Sequence, residues 1–552
     1  MQLSPSAHTD TFARDHLPPF EQWPRLEFTT PELQYPERLN AAVELIDVAV
    51  ATHGPDRPAL MTDTGEVWSY GELQRRTNQV AQVLVEDLGL VPGNRVLLRS
   101  PNTPWTVAAW LGVLKAGGIA VVTMCALRAR DLAPVVRKSR PAIALVDHRH
   151  VADVEEVRDA EAPQLQLVPV GGGGAGDLVT RCAAKSGRFT AVETAADDVA
   201  LFGPTSGSTG VPKLTTHFHR DVLSVDNTFG RRVLGLRPSD LVACTAPLAF
   251  TFGLGMLVVF PLRAGACSFL VEAATPARLA ELVEQHRVTV LATAPTAYKQ
   301  VLRAGEAGRL RSLRAAVSAG EHLPPQVWER FRAELGLRII DGIGATELLH
   351  IFISAAGDDI RPGATGRPVP GYRATVLGPD GEELPPGVEG RLAVVGPIGC
   401  RYLDDERQRG YVVNGWNVTG DTFSRDEDGY FYFRSRTDNM IVSSGYNIGG
   451  PEVELAIDSH PDVVECAVVG KPDVDRGSIV CAFVVLREGV VGDEAKAEEI
   501  QDHVKQQLAP YKYPREVHFL ASLPRNSSGK LQHYVLRNSI RDEQAGALAR
   551  SQ

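Results

Sequence analysis

The feature that most constrains the fold is an alternation of short aliphatic runs with amphipathic stretches through the first two-thirds of the chain. Arg95–Arg99, Ile119–Thr123 and Ala142–Asp147 are predicted strands, and Thr106–Ala116 is a predicted helix between the first two. The pair Gly117-Gly118 would end that helix, because glycine takes the left-handed cap conformation without strain. Strands that alternate with helices predict mostly parallel sheets with helices on both faces.

The pattern changes twice after this region. Between Gly363 and Gly429, short alternating stretches are separated by Gly-Pro and Asp-Gly turns, which predicts a small barrel or an antiparallel sheet. After Arg436 an α/β pattern returns, with a helix that starts at Pro451. We therefore predict two domains, residues 1–436 and 437–552, of which the second has a plausible independent size.

Composition and charge exclude several classes of protein. Among 552 residues, 44% are hydrophobic and 22% are charged, which is typical of a soluble globular chain. The net charge of −10 argues against a general nucleic-acid binder, and seven scattered cysteines without a CxxC pair argue against zinc or disulfides. Neither a signal peptide nor an apolar run long enough to span a membrane is evident. We expect a cytoplasmic protein that binds neither nucleic acid nor membranes.

The most informative segment is Thr205-Ser-Gly-Ser-Thr-Gly-Val-Pro-Lys213, directly after the predicted strand Val199–Gly203. Glycines let backbone N–H groups approach an anion closely, hydroxyls add donors, and Lys213 adds a positive charge. The segment therefore predicts a polyphosphate cradle, although a flexible Ser/Gly loop would have the same composition. Its spacing does not fit GxxxxGK[ST], so an ordinary P-loop NTPase is not indicated.

This nonapeptide resembles the signature of the adenylate-forming superfamily, which includes acyl- and aryl-CoA ligases, carrier-protein adenylation domains and luciferases. The other superfamily motifs follow in the same order, namely Gly344-Ala-Thr-Glu347, Thr419-Gly-Asp421, Arg436-Thr-Asp438, Gly445-Tyr-Asn-Ile448 and Pro524-Arg-Asn-Ser-Ser-Gly-Lys530. Each motif alone is weak, but several in register make a chance match improbable. The resemblance implies an α/β fold: two doubly wound α/β subdomains and a small β-barrel in the large N-terminal domain, followed by a mobile, smaller α+β C-terminal domain.

Members of this superfamily join a carboxylate to the α-phosphate of ATP, so two anions must be brought together. Such a site needs cations and oriented donors more than an acid–base pair. By resemblance, Lys530 is the main catalytic cation, Thr346 donates to the α-phosphate, and Glu347 is the Mg²⁺ ligand, a choice that suits the preference of Mg²⁺ for carboxylate oxygen. The alternatives are a solvated turn lysine for Lys530 and a helix N-terminus for the Thr-Glu pair.

The resemblance also implies a set of nucleotide-binding residues. They are Thr205, Ser206, Gly207, Ser208, Thr209, Gly210 and Lys213 for the phosphates, Gly320, Glu321, Asp341, Gly342 and Ile343 near adenine, and Asp421 and Arg436 for ribose or phosphate. Salt bridges are the alternative for Asp421 and Arg436. The superfamily often has tyrosine where Ile343 stands and glycine where Ser435 stands.

A second group of residues is implied for the transfer to a thiol. Asp438 aligns with the family's hinge, about which the C-terminal domain would rotate to withdraw Lys530. The rotation would present a pantetheine tunnel near Ser444, Gly445 and Tyr446. A simple turn glycine is the alternative for Gly445.

The aryl-acid pocket is predicted at Phe250, Thr251, Phe252, Gly344 and His350. Amino-acid-activating relatives carry Asp where Thr251 stands, so an α-amino acid would bury an unpaired ammonium here. The two phenylalanines suggest a flat aromatic slot, with core packing as the alternative for each, and a satisfied core histidine is the alternative for His350. The segment 341–354 resembles benzoate-type CoA ligases, and residues 6–14 and 33–40 resemble the 2-aminobenzoate (anthranilate) branch.

Together these features imply an AMP-forming aryl-CoA ligase whose substrates are a small aromatic carboxylic acid, ATP and coenzyme A, with Mg²⁺. The acid is expected to be 2-aminobenzoate, then benzoate or salicylate. One alternative loads an acyl carrier protein instead of coenzyme A, and another is a catalytically silent nucleotide-binding module. The sequence leaves open the acid, the acceptor, the pathway and whether the protein is a monomer or a homodimer.

Overall fold

The computed structural model describes residues 3–205, 212–436, 440–443, 446–473, 476–508, 512–525 and 531–540. The chain divides into two compact units, residues 1–374 with 393–418, and residues 375–392 with 419–552. The predicted boundary near residue 436 stays a prediction. Within the described part of the chain, every helix is too short or too polar to cross a bilayer.

The first unit contains a six-stranded sheet of mostly parallel strands. In spatial order its strands are Gln166–Val170, Ile143–Asp147, Arg95–Arg99, Ile119–Val122, Val199–Thr205 and Lys213–Phe218. The last strand runs antiparallel to its neighbour and the others are parallel. The strands predicted in this region are confirmed to within a residue or two at each end, and Lys213–Phe218 was not predicted.

A nine-stranded sheet forms the rest of the α/β core of this unit. Its order is Arg367–Pro368, Ile351–Ser354, Ile339–Gly344, Ala315–Ala319, Val290–Thr293, Leu241–Cys244, Cys267–Leu270, Pro58–Thr62 and Val67–Ser69. The central strands are parallel, and antiparallel strands lie at both edges. The sheet buries aliphatic side chains against helices such as Pro276–His286 and Pro325–Leu335.

The stretch that was predicted to be antiparallel is a five-stranded sheet. Its strands are Arg373–Leu377, Glu389–Val395, Val412–Val413, Trp416–Arg425 and Phe431–Arg436. In the second unit, a hairpin and a three-stranded sheet follow, with strands Met440–Ser443, Tyr446–Gly449, Val463–Asp473, Gly477–Leu486 and Glu516–Phe519. The last three strands bury valine side chains against the helices Gly450–Asp458 and Glu494–Gln507.

The helices of the described residues fall into three geometries. The α-helices are Phe12–Asp15, Val48–His53, Tyr70–Gln82, Pro104–Lys115, Ala129–Ser139, Ala152–Glu161, Leu178–Ala183, His219–Val225, Thr251–Leu254, Phe260–Ala264, Pro276–His286, Pro295–Arg303, Pro325–Leu335, Gln408–Tyr411, Gly450–Asp458 and Glu494–Gln507. The 3₁₀-helices are Phe20–Gln22, Pro31–Leu33, His148–His150, Ala307–Leu310, Thr346–Leu348 and Gly357–Asp359. The π-helical segments are Val43–Asp47, Val83–Asp87, Asp226–Leu234 and Gly255–Val259. Since π-helical turns are frequent at functional sites, the last two are of particular interest.

Candidate functional site

The predicted phosphate loop joins two paired strands. Thr205 ends the strand Val199–Thr205, Lys213 begins the strand Lys213–Phe218, and these two residues are register partners in the antiparallel ladder. We call this pair of strands the phosphate-loop hairpin. The residues predicted to contact phosphate between them, Ser206, Gly207, Ser208, Thr209 and Gly210, lie outside the described residues. The hairpin therefore fixes the two ends of the segment and the position of its lysine.

Lys213 contacts Glu347 through a tyrosine. Its Nζ donates to the hydroxyl of Tyr402 at 2.6 Å and lies 3.5 Å from Glu347 Oε1, to which the same hydroxyl donates. Tyr402 is 1% exposed and Glu347 7% exposed. Burial, followed by the negative charge of Glu347, raises the pKa of Tyr402, so the hydroxyl keeps its proton. The structure thus brings the predicted phosphate lysine and the predicted metal ligand to one group.

Thr346 and Glu347 lie on the short 3₁₀-helix Thr346–Leu348, so the alternative expectation of a helix N-terminus is met only by a single turn. The carbonyl of Thr346 accepts a hydrogen bond from His217 Nε2 at 2.8 Å. A Cβ at Gly203 would lie 2.7 Å from Thr346 Cγ2, so only glycine allows this turn to approach the hairpin so closely. One hydrogen bond therefore holds the turn against the hairpin, and the missing side chain at Gly203 leaves room for the turn to lie there.

His217 is uncharged at neutral pH. It is fully buried, and desolvation lowers its pKa to about 4, although Asp221 opposes the shift. Because a carbonyl can only accept, Nε2 carries the proton that is donated to Thr346. The side chain acts as a fixed donor and not as a base.

A buried ion pair lies behind the hairpin. Arg401 and Asp221 are both fully buried and hydrogen-bonded to each other. The Arg401 guanidinium also lies 4.0 Å from the ring centroid of Phe218 and 5.3 Å from that of Trp23. Burial lowers the pKa of Arg401. Since Arg401 directly precedes Tyr402, the pair anchors the segment that carries the bridging hydroxyl.

The residues predicted near adenine lie at the ends of two strands of the nine-stranded sheet. Gly320 follows the strand Ala315–Ala319 with φ +91°, and Glu321 accepts a 2.6 Å hydrogen bond from Thr296 Oγ1. Asp341 lies on the next strand and lines a small cleft with Trp328 and Thr365. Its Oδ1 is buried without a hydrogen-bond partner among the described residues, and burial raises its pKa to about 7.

The next residues of that strand extend toward the predicted acid pocket. Gly342 and Ile343 pair with the antiparallel strand Ile351–Ser354. Gly344 ends the strand, and a Cβ there would lie 2.8 Å from the backbone oxygen of His350. The segment 341–344 therefore runs from the residues predicted near adenine to those predicted to line the acid pocket.

The predicted aryl-acid pocket is centred on His350, which is 3% exposed. The ring centroids of Phe260, Phe229 and Phe252 lie 4.7 Å, 5.4 Å and 5.6 Å from that of His350. Burial lowers the pKa of His350 to about 3, opposed by a contact with the backbone of Phe252, and neither imidazole nitrogen makes a hydrogen bond to another side chain among the described residues. These contacts fit a pocket histidine and a core histidine alike, so the role of His350 stays a prediction.

Of the three rings around His350, one lies in a π-helical segment and two lie in the α-helices Thr251–Leu254 and Phe260–Ala264. Phe229 belongs to the segment Asp226–Leu234, and a Cβ at Gly255, the first residue of Gly255–Val259, would lie 2.5 Å from His350 Nε2. Phe250 and Thr251 begin the helix Thr251–Leu254 and are half-buried. The predicted acid pocket is therefore lined by apolar rings, with an uncharged imidazole at its centre.

The remaining predicted residues belong to the second unit. Asp421 and Arg436 are register partners on the antiparallel strands Trp416–Arg425 and Phe431–Arg436. Tyr446 begins the second strand of the hairpin Met440–Ser443 and Tyr446–Gly449. Four predicted residues lie outside the described ones, namely Lys530, Asp438, Ser444 and Gly445.

Clustered carboxylates, thiols and imidazoles are the side chains that could hold a metal ion in this protein. A group of His, Cys and acidic side chains close enough to share an ion is formed by Cys481, Glu516 and His518 in the described residues. Lys471 Nζ, however, lies 2.7 Å from both carboxylate oxygens of Glu516, so an ammonium already balances that charge. Glu347 and the hydroxyl of Thr346 are oxygen donors of the kind that Mg²⁺ prefers.

Five of the residues in these contacts were not predicted, namely Tyr402, His217 and Arg401 on the nucleotide side and Phe229 and Phe260 beside His350. Tyr402 lies 189 residues from Lys213 and 55 from Glu347, so no local pattern connects them. Successive side chains of a strand point to opposite faces, so His217 lies on the same face of the strand Lys213–Phe218 as Lys213 and Thr215. Had this strand been predicted, that shared face would have indicated His217.

Comparison with known proteins gives matches over most of the chain. Residues 47–401 match the model of the AMP-binding enzyme family, and residues 452–530 match that of the AMP-binding enzyme C-terminal domain. A benzoate–CoA ligase of Thauera aromatica is 35% identical over 525 residues, which cover 93% of this chain and 98% of that protein.

Solved structures give similar matches. The crystal structure of the anthranilate CoA ligase AuaEII in complex with anthranoyl-AMP superposes with a TM-score of 0.88 at 31% identity, covering 94% of this chain and 100% of that one. A benzoate CoA ligase from Burkholderia xenovorans LB400 gives a TM-score of 0.82 at 31% identity, covering 90% of this chain and 99% of that one.

Proposed function

The chain belongs to the AMP-binding enzyme family, and from this premise we propose that it is an ATP-dependent aryl-CoA ligase. Such an acid–thiol ligase first joins a carboxylate to AMP and releases pyrophosphate, then transfers the acyl group to the thiol of coenzyme A and releases AMP. The observation that carries the proposal is the acid pocket: a buried, uncharged imidazole lies among three phenylalanine rings and only three residues from Glu347.

The nucleotide side supports the first half-reaction. The attacking carboxylate and the α-phosphate are both anions, so positive charge and donors must offset their repulsion. Lys213 supplies an ammonium beside the phosphate loop, and Thr346 supplies a hydroxyl on a turn that His217 holds. We propose that Lys530 adds the second cation, between the carboxylate and the α-phosphate.

Mg²⁺ is the metal that this chemistry calls for, and when bound it would neutralise charge on the phosphates. The donor set fits, because both contacts recorded for Glu347 among the described residues are made by Oε1, which leaves Oε2 for a cation. We propose Glu347 as the protein ligand.

The acid side supports a small aromatic acid. A pocket of rings favours a flat apolar substrate, and a neutral imidazole that makes no side-chain hydrogen bond among the described residues suits one polar ring substituent or the carboxylate. An aniline nitrogen is uncharged at neutral pH and needs no carboxylate partner, so 2-aminobenzoate is the first candidate. Benzoate and salicylate follow. The relatives named for benzoate and anthranilate support a benzoate-type acid.

Carboxylate-dependent exchange of labelled pyrophosphate into ATP tests the first step. Benzoate, 2-aminobenzoate, salicylate and phenylacetate would be compared, and exchange with a benzoate-type acid well above that with phenylacetate is expected. No exchange with any ring acid would overturn the proposal. Release of thioester with free coenzyme A, compared with a holo acyl carrier protein, separates the ligase from the alternative carrier-loading enzyme.

Transfer to the thiol requires Lys530 to leave the site. We propose Asp438 as the hinge and Ser444, Gly445 and Tyr446 as the walls of the pantetheine path, with Asp421 and Arg436 holding the ribose. Lys530→Ala is expected to abolish adenylation and to spare thioester formation from supplied aryl-AMP. Equal loss of both steps would contradict this division.

A further inference from the structure

Tyr402 lies at the centre of the nucleotide side but belongs to none of the family motifs found in the sequence. Its hydroxyl accepts from Lys213 Nζ at 2.6 Å and donates to Glu347 Oε1. An ammonium group can only donate, so the single proton of the hydroxyl is directed to the carboxylate. The two charged groups are thereby joined through an oxygen atom.

This bridge sets the spacing of the charges. Lys213 Nζ lies 3.5 Å from Glu347 Oε1, which is longer than the roughly 2.8 Å of a direct ammonium–carboxylate hydrogen bond. Two of the three N–H groups of Lys213 and the second oxygen of Glu347 have no hydrogen-bond partner recorded among the described residues. Those atoms are what a phosphate and a cation would use.

The backbone holds Tyr402 at this position. Residues Thr215 and Tyr402 form an antiparallel bridge, and the amide of Leu403 donates to the carbonyl of Leu214 at 2.9 Å. The amide of Tyr402 donates to Gln408 Oε1, also at 2.9 Å. The hydroxyl is therefore fixed relative to the strand that starts at Lys213.

We propose that Tyr402 is a positioning residue for the magnesium–triphosphate group, an inference that rests on the proposed function. Its hydroxyl keeps Lys213 and Glu347 from closing into a direct ion pair. Lys213 then remains able to bind phosphate oxygens, and Glu347 remains able to bind the cation. A ring that only fills space would not have this effect.

Tyr402→Phe tests the proposal, with Tyr411→Phe as the matched control. The Tyr411 ring packs edge-on against that of Tyr402 with centroids 5.7 Å apart, so the control removes a hydroxyl next to the bridge while the bridge itself stays. Binding of ATP would be measured by titration calorimetry over a series of Mg²⁺ concentrations, with thermal unfolding in parallel. We expect Tyr402→Phe to weaken ATP binding about tenfold and to raise the half-saturating Mg²⁺ concentration about fivefold. Tyr411→Phe is expected to stay within about twofold of the wild type.

A double-mutant cycle separates positioning from a general loss of structure. If the hydroxyl acts by spacing Lys213 from Glu347, Tyr402→Phe costs only about twofold in a Lys213→Ala background. Unchanged ATP binding in Tyr402→Phe, or a full tenfold loss in both backgrounds, would overturn the inference. If the wild type showed neither ATP binding nor acid-dependent pyrophosphate exchange, the proposed function itself would fail.

Discussion

Two neighbouring parts of the candidate site, the group of Lys213, Tyr402 and Glu347 and the pocket around His350, use different interactions. The first joins an ammonium, a hydroxyl and a carboxylate by hydrogen bonds across three chain segments. The second surrounds one uncharged imidazole with aromatic rings, and its nitrogens make no side-chain hydrogen bond among the described residues. We therefore propose that the spacing of charges controls binding on the nucleotide side, whereas shape and one polar group control binding on the acid side.

This difference predicts which side of the site tolerates amino-acid substitutions. A network of charges loses much when one member is removed, because its partner is left buried and unpaired. An apolar pocket loses little when its shape is kept, so its specificity can change without loss of the nucleotide chemistry. Substitutions on the nucleotide side should therefore lower the rate with every acid, and those on the acid side should change the preference among acids.

The largest effect is expected from Arg401→Met, which tests whether buried charge supports the nucleotide side. The variant leaves Asp221 buried without its partner, so stability should fall by about 3–5 kcal/mol. Adding Asp221→Asn should recover part of the loss, since asparagine can still accept from the amide of Phe218. Urea unfolding followed by tryptophan fluorescence measures both.

Arg158→Met is the matched control for that experiment. Its ion pair with Asp159 is solvent-exposed, so the loss should stay below about 1 kcal/mol. Equal losses in the exposed and buried variants would remove the distinction between the two kinds of ion pair.

His217→Leu tests whether the 3₁₀ turn of Thr346 and Glu347 must be held in place. The substitution removes the donor to the Thr346 carbonyl, so the turnover of adenylation should fall about 10- to 30-fold. The KM for the acid should change less than about twofold, because His350 keeps its surroundings. His217→Gln restores an N–H donor and should rescue part of the rate. A rise in the acid KM with an unchanged rate would contradict the separation of the two sides.

Local sequence could predict the elements but not the contacts between them. The strand Arg95–Arg99 is apolar and bounded by turn residues, and the motif from Thr205 to Lys213 carries its own chemistry, so both were evident. The return strand Lys213–Phe218 has threonine and histidine in place of an aliphatic run, and its side chains are buried only by tertiary packing. The resemblance to the adenylate-forming family, the α/β fold and the class of enzyme are confirmed by the family matches and structural neighbours.

The two sides of the site differ in how far they could be predicted. His350 lies three residues from Glu347 in one motif, so the sequence brought acid side and nucleotide side together. Tyr402 meets Lys213 only because the segment 401–403 pairs with the hairpin, and strand register across such distances has no local signal. The same holds for the Arg401–Asp221 ion pair, whose partners are 180 residues apart.

His350→Leu sharpens the comparison from the acid side. Leucine has a similar volume and removes the two imidazole nitrogens, which make no side-chain hydrogen bond among the described residues, so stability should change little. If the imidazole bonds a ring substituent, the KM for 2-aminobenzoate or salicylate should rise about tenfold, and that for benzoate less than about threefold. The KM for ATP should not change. A uniform rise for all three acids would indicate that His350 contacts the shared carboxylate.

The smallest effect is expected from Asp341→Asn. This variant tests whether the carboxyl of Asp341, among the residues predicted near adenine, is buried without a positive charge that compensates it. The pKa of Asp341 is raised to about 7 in the folded protein from an ordinary value of 3.8, because its carboxyl is desolvated. Between these two values the unfolded chain releases the proton first, so stability falls as the pH rises and the loss is complete above about pH 7. Asparagine does not titrate, so Asp341→Asn should gain about 1 kcal/mol over the wild type at pH 8 and almost nothing near pH 4. Unfolding midpoints at the two pH values measure the gain. A gain independent of pH would mean that the pKa of Asp341 is the same in the folded and the unfolded chain, so that the carboxyl is not desolvated as proposed.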